Sequence, residues 1–437
     1  MRRITLAVVA TLVASMSLHA QSPYLVKDVN STTTASPLSS TPNNFFRFGS
    51  RIVFAAATPG FGSELWSTDG SEAGTTQVAD INAGSGSSSP SHFAVLNGKL
   101  IFNATDPRWG TELWTSDGTA AGTRLLADIR LGTAPSSPGD RIVYGDKMIF
   151  AADDGVHGNE LWVTDGTSAG IRLLKDLFPG PVGTDPSEFV LFHGAVYFCA
   201  SNGLWKSDGT EAGTVQVKEG YAYSLVVAGS QMFFGSQNDA TGDELWVSDG
   251  TPAGTRMVPE INPGRAPSIA FRAPLTAFGD RVLFNGVESQ HGVELWISDG
   301  TAAGTHLVRD IAAGTASSRP GPHAVTDGGV AFFTATTEGS GEELWKTDGT
   351  EGGTLPVTDI VPGRASGGIN SIVARGNRIY FIAAGGLWTA DGIMATKPVQ
   401  ASDAVVALGS SGLTIIDGIL YFAGANHLNG YEPWKSD

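Results

Sequence analysis

The 437-residue chain carries 43 acidic against 27 basic residues, a net charge of −16 at neutral pH, and a single cysteine. That acidity opposes phosphate backbones and anionic lipid surfaces, which argues against nucleic acid as a partner, and one cysteine excludes an intramolecular disulfide. Many of the acids recur at fixed places in a repeated motif, so the net value says little about a binding site.

At the start of the chain, Arg2 and Arg3 precede an uncharged apolar run from Ile4 to Leu18 and then small and polar residues around Ala20-Gln21-Ser22. This is the layout of a secretory signal peptide, and the run is shorter than the ~20 residues a membrane-spanning helix needs. Residues 1–20 are therefore expected to be a leader cleaved after Ala20, with the remainder exported to a periplasm or the medium and not inserted in a membrane. Residues 21–437 are expected to form one folded unit. It opens with Tyr24-Leu25-Val26-Lys27-Asp28-Val29, which matches the closing strand of a later repeat, Leu307-Val308-Arg309-Asp310-Ile311, with no earlier strands before it.

The repeats follow. Trp66, Trp114, Trp162, Trp205, Trp246, Trp296, Trp345, Trp388 and Trp434 lie 41 to 50 residues apart, and each is followed by Asp three residues on: Asp69, Asp117, Asp165, Asp208, Asp249, Asp299, Asp348, Asp391 and Asp437. A period of this size marks an architecture in which stacked neighbours build a core that no single unit has. The fullest copies read Gly-x-Glu-Leu-Trp-x-Ser-Asp-Gly-Thr-x-x-Gly-Thr and run into an apolar strand ending in Asp-Ile. On these residues the chain resembles the ELWxxDGT repeat family of secreted bacterial proteins, across nearly its whole length after the leader. The resemblance implies a β-propeller-like tandem repeat and transfers no catalytic chemistry.

Each repeat resolves into four short strands. In the second, His92 to Leu96 leads through Asn97-Gly98, a strong hairpin signal, into Leu100 to Ala104; Glu112 to Ser116 and Arg124 to Ile129 follow. Leu100 and Phe102 alternate with Ile101, and every repeat has an apolar residue at the Ile101 position, so this strand is expected to be buried on both faces. Four-stranded sheets covered on both sides and repeated at this period describe propeller blades. The C-terminal Glu432-Pro433-Trp434-Lys435-Ser436-Asp437 stops after a third strand, and the N-terminal fragment supplies a fourth. The fold expected is an all-β single propeller of about nine four-stranded blades, closed by the N-terminal strand completing the C-terminal blade, which leaves no open edge.

Comparison between repeats separates framework from function. The Asp-Gly pairs are assigned to tight turns, and the tryptophans to wedges between blades. Cys199 aligns with Ala55, Asn103, Ala151 and Gly235 and reads as a small core residue. Glu64, Glu112, Glu160, Glu244, Glu294, Glu343 and Glu432 are replaced by Gly203 and Gly386 in the fourth and eighth repeats, which also lack five residues of the loop before the motif. The expectation is that this Glu accepts hydrogen bonds from its own loop, which Gly62 and its equivalents turn.

The repeats differ most in that loop and in the connections between repeats, which open on one face. Phe61, Trp109, His157 and His291 each stand just before the loop glycine, with Arg108, Asp154, Asp153 and Gln290 beside them, and Arg130, Arg265, Arg319 and Arg364 join the same rim. Mixed aromatic, His and carboxylate side chains suit a glycan, a peptide or a cell-surface protein. No nucleophile elbow, His-Glu-x-x-His, phosphate-cradling loop or Cys/His metal cluster occurs, so no cofactor and no catalytic residue is assigned. The leading expectation is a non-catalytic, secreted binding or surface-interaction module. A carbohydrate-active enzyme with carboxylates over the central channel, and a structural envelope component, are the alternatives.

Overall fold

The computed structural model describes residues 23–31, 39–238, 240–321, 323–358, 360, 363–391, 399–407, 412–426 and 428–436. The expected leader, residues 1–20, and Asp437 lie outside them.

Blade 2 shows how the sequence makes the unit. Its strands, Ser91–Leu96, Lys99–Asp106, Gly110–Ser116 and Arg124–Ala127, pair in that order and antiparallel throughout. Asn97 and Gly98 have φ of 50° and 76°, the two positive values that a two-residue hairpin requires. Nine such blades follow one another. The first eight occupy residues 43–79, 91–127, 141–175, 187–219, 222–257, 276–309, 324–358 and 370–407, and the ninth combines 414–436 with Tyr24–Leu25. The first strands of neighbouring blades touch one another around the ring, which places them at the central channel and the fourth strands at the rim. Val399–Ala407 of blade 8 also pairs with Ile419–Ala425 of blade 9, so these two blades share one eight-stranded sheet.

Ring closure follows the expected route. Leu25 pairs with Trp434 and Tyr24 with Lys435, and Val26 N donates to the Pro433 carbonyl at 2.8 Å. The chain ends are thereby tied into one sheet, and the edge of the last blade is paired.

Burial explains why the blades stack. Leu100, Ile101 and Phe102 are all fully buried, as expected of a strand covered on both faces. Leu100 and Phe102 pack with Trp114 against Val53, Leu65 and Val78 of blade 1, while Ile101 faces Met148 and Phe150 of blade 3. Nine such apolar clusters fill the nine blade interfaces, including the one between blades 9 and 1, where Val29 and Tyr421 meet Phe54 and Trp66. The motif tryptophan enters the cluster shared with the preceding blade, as Trp296 does against Val258 and Leu245. Cys199 is buried in the interface of blades 4 and 5, where burial pushes its thiol pKa up.

The Asp-Gly-Thr turns hold the opposite face. Asp117 Oδ1 accepts from Thr119 N at 2.9 Å and Thr119 Oγ1 at 2.7 Å, and Gly122 N donates back to Thr119 Oγ1 at 3.0 Å. A side chain at Gly122 would collide with the Asp117 carboxylate, which accounts for the second glycine of the motif. Asp69, Asp165, Asp208, Asp249, Asp299 and Asp348 cap their turns in the same way. Asp391 ends its strand opposite Arg378, and the turn beyond it lies outside the described residues.

Candidate ligand-binding site

The loops between second and third strands and the connections between blades share one face, and the motif Glu fastens them together. Glu112 is fully buried; its carboxylate accepts from Ile129 N at 3.0 Å and from Ser136 N at 2.8 Å. Both donors belong to the connection toward blade 3 and not to the Glu112 loop. Glu64, Glu160, Glu294 and Glu432 bind the corresponding residues Ile81 and Ser88, Leu177 and Thr184, Ile311 and Ser318, and Val29 and Ser40. The expectation that Glu caps its own loop is therefore corrected. A buried carboxylate needs several N–H donors, and the connection supplies them in a folded-back turn that the short loop does not have.

The loop glycine belongs to the same unit. An added Cβ at Gly110, where φ is 71°, would lie 2.8 Å from the Thr133 carbonyl oxygen of that connection. Blade 4 lacks the Glu, the loop and also the connection, since only residues 220–221 lead to blade 5 where residues 80–90 lead from blade 1 to blade 2. Its shortened turn uses Asn202 to accept from Trp205 Nε1 at 2.9 Å.

The residues singled out from the sequence sit on separate blades and are engaged locally. Arg108 is ion-paired to Asp106 at 2.7 Å, and Trp109 packs back against the cluster between blades 1 and 2. His157 bonds to Asp154 at 2.7 Å, and Asp154 also accepts from the Val156 and His157 backbone. His291 bonds to Glu288 at 2.7 Å in blade 6. In both pairs the carboxylate hydrogen bond raises the imidazole pKa. Arg130 pairs with Asp153 and ties the connection after blade 2 to the blade 3 loop. Phe61 is exposed, at 46%. Other exposed apolar side chains of this face, Leu131, Val156, Phe178 and Leu428, come from other loops and connections.

A cavity of about 590 Å³ opens where blade 4 is cut short. Asp140, Asn159 and Asp185 line it from blade 3 and its connection, Ser187, Glu188 and Ser201 from blade 4, and Tyr221, Tyr223, Ser224 and Arg272 from the blade 5 side. None of the sequence candidates lines it. The signal in the sequence is the five-residue deletion in the fourth repeat, whose shortened turn contributes Ser201 to the lining.

The cavity wall is pre-organised. Asp140 Oδ2 accepts from Glu188 N at 2.9 Å, Asp185 Oδ1 from Asn159 Nδ2 at 2.9 Å, and Glu188 Oε2 from Leu225 N at 2.6 Å. Arg272 Nε donates to Tyr221 Oη at 2.8 Å, and its guanidinium lies 5.5 Å from the ring centroids of both Tyr221 and Phe271. Tyr223 Oη donates to Asp243 at 2.8 Å, and burial raises its phenol pKa. Asn44, His92, Glu188, Ser224, Arg272 and Ser371 share a left-handed backbone, φ 51° to 58°, near the start of the innermost strand. Several reach the next blade, as Asn44 does to the Pro90 carbonyl and Ser371 to Leu413 N. The ring geometry fixes that backbone, while the side chain at the slot varies from blade to blade, so the chemistry of the channel mouth is set there.

The chain matches no family model and no curated protein. Among solved structures it is similar to the computationally designed Ika8 protein, at 15% identity and a TM-score of 0.44, over 80% of this chain and 96% of that one. It is similar also to puromycin hydrolase in complex with PGG, at 12% identity and a TM-score of 0.40, over 78% of this chain and 59% of that one. The β-propeller domain of the Trilobed protease from Pyrococcus furiosus gives 14% identity and a TM-score of 0.35, over 72% of this chain and 97% of that one. At such identities no activity or site residue passes from these proteins to this chain.

Chemically the cavity offers hydrogen-bond acceptors on one wall and a cation with phenol groups on the other. No group of three or more His, Cys, Asp or Glu among the described residues has a metal-holding arrangement.

Proposed function

We propose that this protein is an exported, non-catalytic binding module that takes a polar ligand, a glycan or a peptide, on the face formed by its loops and connections. The observation that carries the reading is the 590 Å³ cavity at the channel mouth, which lies beside the shortened turn of blade 4 and its two-residue connection to blade 5. Its size and its few oriented polar groups suit a small-ligand site. The β-propeller frame supports a binding role at a coarse level, the exposed Phe61, Leu131 and Phe178 give the same face apolar contact surface, and the leader-like N-terminus and the resemblance to secreted ELWxxDGT repeat proteins support export.

The test is a glycan and peptide array probed with the secreted chain and with Ser201→Trp, which fills the cavity from an exposed turn. Trp109→Ala and His157→Ala serve as rim controls. Binding lost in Ser201→Trp is expected; binding that persists there and disappears with the rim substitutions would move the site to the outer loops.

A further inference from the structure

The two walls of the cavity carry opposite charge, and among the described residues neither is closed by an ion pair. Asp140 and Asp185 stand on the blade 3 side, and among the described residues neither has a Lys, Arg or His within ion-pair distance. Arg141, next in sequence to Asp140, turns its guanidinium to Asn103 and the Pro138 carbonyl. Each of the two carboxylates has one oxygen fixed by a protein N–H, through Glu188 N and Asn159 Nδ2, and among the described residues no protein donor meets the other oxygen. On the blade 5 side Arg272 faces no carboxylate at ion-pair distance among the described residues, and Tyr221, having accepted from Arg272, keeps its own hydroxyl proton to donate.

The Arg272 guanidinium lies 5.5 Å from the centroids of the Tyr221 and Phe271 rings and donates to the Tyr221 hydroxyl, so this wall presents a cation held beside a phenol. A ligand that matches this arrangement carries a cation at one end and an anion at the other, with uncharged polar matter between them.

We infer that the cavity binds a short peptide with both termini free, its ammonium group on Asp140 and Asp185 and its carboxylate on Arg272 and the Tyr221 hydroxyl. This rests on the binding reading above and specifies its ligand. Charge-assisted hydrogen bonds at both ends would set the register, and Ser187, Ser201 and Ser224, which line the same cavity, would meet backbone amides. Side-chain identity would matter less than the two ends, since the remaining lining is small or polar.

The experiment is affinity selection on the immobilised secreted chain, read by mass spectrometry, from an equimolar mixture of tripeptides with free termini, the same peptides N-acetylated, the same peptides C-amidated, and the neutral trisaccharides maltotriose and chitotriose. Free-terminus peptides are expected to be retained, with either cap lowering retention at least about tenfold. Asp185→Asn should abolish discrimination against the acetylated set while keeping it against the amidated set, and Arg272→Gln should do the reverse. Both residues are exposed, and thermal melts of each variant report folding. Retention of capped and free peptides alike overturns the inference. Retention of the trisaccharides alone, lost in Ser201→Trp, overturns it while sparing the binding reading; no selection of any probe that Ser201→Trp removes overturns both.

Discussion

Replacing Glu294 by Ala tests whether the motif Glu holds the connection between blades. Its buried carboxylate accepts Ile311 N at 3.1 Å, Ala312 N at 3.2 Å, Ser318 N at 2.9 Å and Ser318 Oγ at 2.6 Å. Truncation strands three backbone donors, each costing about 1 to 3 kcal/mol if left buried and unpaired. Water entering the vacated space recovers part of this, so a net loss of about 3 to 5 kcal/mol is expected. Glu294→Gln keeps one acceptor oxygen but turns an NH₂ toward N–H groups, and should fall between the two. Hydrogen exchange read by mass spectrometry locates the effect, with urea titration for its size. Amides of residues 310–318 should lose protection first, while those of the loop at 288–292 keep theirs. The reverse order, with the loop opening and the connection unchanged, would restore the own-loop account and refute the cradle.

Three further outcomes follow from the same geometry. Removing Tyr24 to Asn30 takes away the partner strand of Glu432–Ser436 and the Val29 N–H bound by Glu432, so the melting temperature should drop and the chain associate with concentration in light scattering; an unchanged melt would mean the ring does not depend on its closure. Trp296→Ala empties a wedge between blades 5 and 6 and should cost about 3 to 5 kcal/mol in urea unfolding, with a loss below about 1 kcal/mol counting against the wedge. Burial pushes the Glu160 pKa up from 4.5 to about 7, against hydrogen bonds from Leu177 and Thr184 that lower it. The native state therefore binds that proton more tightly than the unfolded chain, so this contribution is fully present below about pH 4.5, is lost as pH rises toward 7, and is flat above. The stability difference between wild type and Glu160→Gln should change across that window, and parallel curves would contradict the shift.

Much of the architecture was legible because the repeats could be compared with one another. The period counted the blades, the apolar residue at the Ile101 position showed a strand covered on both sides, and the orphan fourth strand at Tyr24 announced the closure that Leu25 and Trp434 make. These are local patterns repeated often enough to be unambiguous. The partner of the Glu was not legible, because the loop and the connection disappear together in the fourth repeat, and covariation in length does not say which of the two supplies the donors. The local contacts of the rim candidates were not legible either. Trp109, His157 and His291 are conspicuous in composition, but the sequence does not say that Asp154 and Glu288, three residues earlier, bind Nδ1 of the two histidines or that Trp109 packs on an apolar cluster. The cavity residues Asp140, Asp185, Tyr221 and Arg272 come from four separate stretches with no common motif, and only the ring brings them to one mouth.

The buried Glu, the loop glycine and the long connection behave as one unit, for a physical reason. A Glu without its connection would be a buried charge with no donors, and a connection without its Glu would leave several N–H groups unpaired. A side chain at the glycine would drive loop and connection apart. A repeat can therefore lose the whole unit at modest cost but not a part of it, and blade 4 has lost all of it. The interface beneath is unaffected, since Phe198 and Trp205 still pack with Ile149 and Leu161 of blade 3. Shortening blade 4 thus lowers the rim beside it while the interface with blade 3 stays intact. In a ring of near-identical units this creates an asymmetric opening at the channel mouth without any new element, and there the variable slot brings Glu188 and Arg272 into a single cavity.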